Sequence, residues 1–324
     1  MDIPDKITVQ LKADADGMIG RECPNTGCGR YFKVSTDDLL NAGRLPIFCP
    51  YCKQEGDETE FITKDQEEFM MSNVAKKITE AIVEGFKPQM GKRDLGMGVS
   101  LSITLETKIP EIKEYVEKKL SRIIKCQECN NSFAVIGPSF FCPYHGDRNP
   151  LTVFRENIES IGTFLNLEQL VGVDAWEKIA RHLAPSQLFE DALENTVTAY
   201  ETYCKTKYGI KKATMTPGTT KEDHISAIRN AFQNLDGANR IFTTDFGFDC
   251  LATLTLDELA HCRKCFQKRH LLAHNSGLID QKYITETNES QSLLGKRVTV
   301  TGNEVDRLLT YLDKPVSIIE TNIP

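Results

Sequence analysis

Cys23-Pro24-Asn25-Thr26-Gly27-Cys28 and Phe48-Cys49-Pro50-Tyr51-Cys52 set four thiols as two close pairs separated by a loop, and this spacing decides the fold of the N-terminal half. It is the spacing of a structural zinc ribbon. The pattern returns in Cys126-Gln127-Glu128-Cys129 and Phe141-Cys142-Pro143-Tyr144-His145, now with three cysteines and one histidine. The apolar residues repeat with the ligands: Phe32 and Val34 follow Cys28 by four and six residues, as Phe133 and Val135 follow Cys129. Such joint repetition predicts two zinc ions, one on Cys23, Cys28, Cys49 and Cys52, the other on Cys126, Cys129, Cys142 and His145. Four protein ligands leave no open position, so both ions are expected to be structural. A disulfide framework is disfavoured, because Met1 to Asp5 lacks a basic and then apolar signal region and the chain has enough mass to fold without staples.

The composition predicts a soluble chain of two or three domains: 324 residues, 40% hydrophobic and 26% charged. No apolar run reaches the roughly 20 residues of a membrane span, so a cytoplasmic protein with no membrane partner is expected. The net charge of −7 argues against a general nucleic-acid coat. It also ranks a DNA-binding regulator built on the ribbons last. One segment differs. From His261 to His274 there is no acidic residue, while Arg263, Lys264, Lys268 and Arg269 are positive, which predicts a locally basic site on an acidic protein.

That segment ends in Lys268-Arg269-His270-Leu271-Leu272-Ala273-His274-Asn275. Thr255 and Glu258 stand at capping-box spacing, and Leu259, Cys262, Phe266 and Ala273 recur at helical intervals, so a helix is expected that Asn275-Ser276-Gly277 stops. Arg269 falls on the stripe expected to be buried, where a guanidinium needs a partner or a task. Three chemistries compete for the two histidines. A zinc metalloprotease helix would need Glu after the first histidine, and Leu271 stands there. The histidines could simply be satisfied in a core or at a helix C-terminus. Metal-independent RNA cleavage would use a histidine to move protons and an arginine to hold the scissile phosphate.

Arg269, His270, Leu271-Leu272-Ala273 and His274 match, position for position, the signature of the HEPN superfamily of helical ribonucleases: Arg, a polar residue, three variable residues and His. The resemblance extends weakly over residues 185–324. It implies a helical bundle whose Arg269 stabilises phosphate, whose His274 is the general acid or base and whose His270 orients. It further implies attack by a ribose 2′-hydroxyl that leaves a 2′,3′-cyclic phosphate, with no catalytic metal. Lys268 and Asn275 are expected to contact the RNA substrate. Residues five apart point roughly 140° apart around a helix, so Arg269 and His274 cannot converge alone. The family's antiparallel pairing accordingly implies a homodimer, and its members imply a defence or toxin-type effector. A noncatalytic module binding RNA or protein is the alternative.

The expected architecture is α+β and multidomain, with two small zinc-ribbon modules followed by an all-α bundle. Its parts are a first ribbon at 1–62, a helical connector at 63–98, a second ribbon at 99–150, a helical linker at 151–184 and the bundle at 185–324. The ribbons, lacking chemistry of their own, are expected to recognise a protein or nucleic-acid partner. Alternation predicts strands at Ile7 to Leu11 and Val99 to Leu105. Helices are expected at 65–86, 109–124 and 186–208, at Ile225 to Leu235 with a stop at Asp236-Gly237, and at Glu304 to Leu312; Thr285 to Gly295 reads as a loop. Tyr200, Tyr203 and Tyr208 among Lys205, Lys207, Lys211 and Lys212 read as a core stripe beside solvated lysines rather than an RNA surface. Cys262 and Cys265 have CxxC spacing but read as core, as do Cys204 and Cys250.

Overall fold

A computed structural model describes residues 6–41, 46–86, 91–94, 100–103, 107–120, 122–166 and 185–324. The chain divides into two compact units, Met1–Ile136 with Phe141–Asp147, and Gly137–Phe140 with Arg148–Pro324. The class is α+β, a small antiparallel sheet in the first unit and helices in the second.

The first unit is organised by β1 (Met18–Glu22), β2 (Tyr31–Ser35), β7 (Arg122–Lys125) and β8 (Ser132–Val135), in the sheet order β1-β2-β8-β7. A short helix α1 (Thr36–Asn41) follows β2, and β3 (Ile47–Phe48) pairs with β4 (Glu55–Gly56). The two cysteine repeats thus share one sheet. They meet at β2 and β8, where Lys33 pairs with Ala134 and Val34 with Phe133. Phe32, Lys33 and Val34 correspond by sequence to Phe133, Ala134 and Val135, so this register relates one repeat to the other by a local two-fold. Other bonds obey it: the Phe48 amide donates to Pro143 O (2.9 Å), and the Phe141 amide to Pro50 O (3.0 Å). An interface that is the same from both sides behaves like a two-fold dimer within one chain. Phe32, Val34, Phe133 and Val135 are completely buried in a single core with the ligand cysteines.

The connector forms α2 (Lys64–Phe86), as its apolar period predicts, and Gly91–Asp94 (β5) pairs with Ser100–Ile103 (β6). The expected strand at Val99 to Leu105 is present over 100–103, and 99, 104 and 105 lie outside the described residues. Two expectations fail here. Residues 7–11 form no strand. Residues 109–120 form no helix, and 122–124, expected in the same helix, belong to β7; the Lys113 amide donates to Ser72 Oγ (3.0 Å), Glu117 accepts from Gln66 Nε2 (2.8 Å) and from the Tyr31 hydroxyl, and the Tyr115 hydroxyl accepts from the Lys12 amide (2.9 Å). Val116, within the expected helix, is 89% exposed.

The second unit comprises α3 (Pro150–Leu165), α4 (Pro185–Met215), α5 (Lys221–Ile228), α6 (Leu235–Phe246), α7 (Leu256–Asn275), α8 (Gln281–Thr287) and α9 (Gly302–Asn322). The linker at 151–184 is helical to Leu165; 167–184 lie outside the described residues. Asp236-Gly237 starts α6 instead of stopping a helix, since the Asn234 side chain caps the Gly237 amide at 2.8 Å. Part of the expected loop is α8. Leu193, Val197, Tyr200 and Cys204 of α4 meet Cys262, Cys265 and Phe266 of α7 and Leu308, Leu312 and Ile319 of α9 in one core. The tyrosine stripe is core: Tyr200, Tyr203 and Tyr208 are buried, and Lys205, Lys207 and Lys212 pair with Glu201, Glu320 and Asp245.

Candidate functional site

Each cysteine repeat brings four potential ligand atoms within 4.8 Å of one another, Cys23, Cys28, Cys49 and Cys52 in one, Cys126, Cys129, Cys142 and His145 in the other. The Sγ separations are 3.6 Å for Cys23 and Cys52, 3.8 Å for Cys28 and Cys49, and 3.7 Å for Cys129 and Cys142. Tetrahedral ligation with bonds of about 2.3 Å requires about 3.8 Å between sulfurs, so either cluster could hold a metal ion without rearrangement. His145 Nε2 stands 3.2 Å from Cys126 Sγ.

Each ligand pair is closed by a residue of left-handed backbone placed just after its second ligand: Gly29, Lys53, Asn130 and Gly146, with φ of 53°, 64°, 62° and 81°. This lets the next amides turn back toward the sulfurs, and glycine adopts it without strain at Gly29 and Gly146. The first and third ligands of both clusters are buried and the fourth is exposed. Burial pushes the Cys23 thiol up to about 12 and raises Cys49 and Cys142 as well. A bound cation supplies the charge that lets such thiols ionise.

The histidine segment, Lys268 to Asn275, is about the last two turns of α7. Its capping box is present: Thr255 Oγ1 accepts from the Glu258 amide (3.3 Å), and Glu258 Oε2 from the Thr255 amide (2.9 Å). At the other end Asn275 Nδ2 donates to Leu278 O (2.6 Å), and Ser276 and Gly277 turn left-handed at φ of 52° and 74°. Asn275 thus fastens the helix end. Lys268 is buried, its Nζ 2.6 Å from both Glu304 Oε1 and Thr299 O. Its ammonium faces the fold, not the solvent where a substrate would lie.

Arg269 is half-buried, and its Nε is buried with no hydrogen-bond partner among the described residues. Its charge acts on Glu194 of α4, opposing the rise that burial gives that carboxyl. His270 and His274 are exposed, with ring centroids 5.0 Å apart. Partial burial lowers His270 below its ordinary value, Lys282, His274 and Arg269 lower it further, and Asp280 opposes them. One chain therefore brings the histidines together and points Arg269 to a different side of the helix from His274, as helical geometry requires. Ala273, expected in the buried stripe, is exposed.

The expected basic island does not survive folding. Arg263 clamps Asp236 at 2.7 Å, Lys264 pairs with Glu289 and Lys268 with Glu304, and Arg269 is within electrostatic reach of Glu194. Sequence reading missed these acids because all lie outside the His261 to His274 segment. Three of α4, Glu190, Asp191 and Glu194, line a groove of about 500 Å³ with Leu272, Ser276 and Arg297. Burial first and mutual repulsion second raise Asp191, and Glu194 shifts the same way despite Arg269. Arg297 ties the groove together, 2.5 Å from Glu190 and 3.0 Å from Ser276 O. Their spacing on α4 is a helical signal, but nothing local says which element they will face.

Among the described residues no helix is long and apolar enough to cross a membrane. No protein-family model, curated protein or solved structure matches the chain.

Proposed function

We propose that the chain is a metal-independent endoribonuclease of the HEPN type whose two ribbons hold structural zinc and dock a target or partner. The reading is carried by the exposed His270 and His274 pair at a fastened helix end, beside an Arg269 whose Nε lacks a hydrogen bond. In it the ribose 2′-oxygen attacks the adjacent phosphorus and the bond to the 5′-oxygen breaks. The 2′-hydroxyl proton passes to an imidazole and the leaving oxygen takes up another, giving a 2′,3′-cyclic phosphate and a 5′-hydroxyl. His274 moves the proton, His270 orients it, and Arg269 neutralises charge developing on phosphate. Because Arg269 and His274 point apart on one helix, a second copy packed through the helical unit completes the cleft. The reading places the protein in the cytoplasm as a defence or toxin-type effector. Lys268 takes a structural role in it, holding α7 to Glu304.

Zinc is proposed because three thiolates and an imidazole, or four thiolates, in tetrahedral spacing suit that ion. A noncatalytic RNA- or protein-binding module is the second reading, and one observation favours its protein-binding form: Glu190, Asp191 and Glu194 line a groove with Arg297, and three carboxylates disfavour phosphate there. Incubating the protein and its Arg269→Ala and His274→Ala variants with transfer and ribosomal RNA, without added divalent metal, separates the two. The nuclease gives cyclic-phosphate ends that both variants lose. A binding module gives no cleavage by any of the three.

A further inference from the structure

The His270 and His274 rings lie one helical turn apart on the exposed side of α7, centroids 5.0 Å apart and planes 56° apart. Two imidazoles on a tetrahedral ion with bonds of about 2.0 to 2.1 Å have centroids about 5 Å apart, since each centroid lies about 1.1 Å behind its nitrogen. The observed spacing meets that demand. Leu271, between the two histidines, is buried with Ile279, Tyr283, Ile284 and Val298, which fixes this turn of helix against α8. Asp280 of that same region is the carboxylate nearest in effect to His270. Its Oδ1 caps the Tyr283 amide at 2.8 Å, and Oδ2 has no such bond among the described residues.

We propose that His270 and His274 form a two-histidine chelate for a divalent transition-metal ion, distinct from the two cysteine-based sites, with its remaining positions taken by water. Imidazole donors select nickel, copper or zinc over magnesium or calcium. With two protein ligands instead of four, and with Lys282 and Arg269 close by, the site binds more weakly than the ribbons and loads reversibly. The proposal does not rest on the nuclease reading. If that reading holds, an ion here occupies the nitrogens that move protons and inhibits cleavage.

The test titrates nickel(II) into the full chain with its ribbon metals in place, followed by calorimetry and by native mass spectrometry. One further ion per chain is expected, with affinity at least about tenfold weaker in both His270→Ala and His274→Ala, since losing a ligand costs no less than losing a residue that merely orients one. His224→Ala, on α5, should bind like the parent. Both target side chains are exposed, so the variants should keep the parent's circular dichroism and melting. Absence of a further ion, or the parent's affinity kept in either variant, overturns the proposal. A chain that cleaves RNA but binds no ion loses only this site, and one that binds the ion but does not cleave loses only the nuclease.

Discussion

Tyr51 and Tyr144 make the same two hydrogen bonds from opposite sides of the ribbon pair. The Tyr51 hydroxyl donates to Tyr31 O at 3.0 Å and accepts from the Ile136 amide at 2.9 Å. The Tyr144 hydroxyl donates to Ser132 O at 2.9 Å and accepts from the Ser35 amide at 3.0 Å. Each tyrosine therefore ties the strand of its own repeat to the strand of the other. The Phe-Cys-Pro-Tyr repeat is thus more than a ligand signature; its last residue locks two ribbons into one sheet.

Tyr51→Phe and Tyr144→Phe should each destabilise the first unit by about 1 to 3 kcal/mol, because each leaves two inward backbone groups without their partner. The two effects should be similar in size. Chemical denaturation of the metal-loaded protein checks this, and a loss confined to one variant would show that the two-fold is not energetic.

Removing either metal should loosen both ribbons, since Cys23, Cys49, Cys126 and Cys142 belong to one core. Metal analysis should find two ions per chain, and Cys49→Ser or Cys142→Ser should lower occupancy at both sites. Titration with a chelator should accordingly give one cooperative transition in far-ultraviolet circular dichroism. Two separate transitions would mean independent modules.

Burial alone would raise the Glu304 carboxyl, but the Lys268 ammonium, bonded at 2.6 Å, together with the Thr301 amide and hydroxyl, outweighs it and holds the group below its usual range. A depressed folded value stabilises the fold above the unfolded value of about 4.3 and is lost as pH falls through the folded one. Lys268→Met should cost about 2 kcal/mol at neutral pH and flatten the acid limb of stability between those two values. Melting curves from pH 7 down to about 3 for the parent and variant measure both effects.

Chemistry repeated at fixed spacing was legible. The close pairs that make up both four-residue clusters, the α2 and α7 helices and the Thr255 cap follow from residues near one another in sequence. What depends on distant partners was not. The pairing of Val34 with Phe133 joins positions 99 apart, and no local pattern announces it. Ile109, Ile112, Val116 and Leu120 have a helical period, yet the segment forms no helix, and the partners it bonds, Ser72, Gln66, Tyr31 and Lys12, are all distant in sequence. Asn234-Leu235-Asp236-Gly237 reads equally as a stop or a cap, and the chain uses it as a cap. At the histidine helix the basic residues were visible in sequence, whereas Asp236, Glu289, Glu304 and Glu194 reach them only through folding.

The most direct measurement is the rate of RNA cleavage by the purified protein against Arg269→Ala and His274→Ala, with the fragment ends identified. The account predicts cyclic-phosphate ends without added divalent metal, and a fall of about a hundredfold or more in each folded variant. Cleavage that persists at the parental rate in both variants, or no cleavage of transfer or ribosomal RNA by the parent, would contradict it.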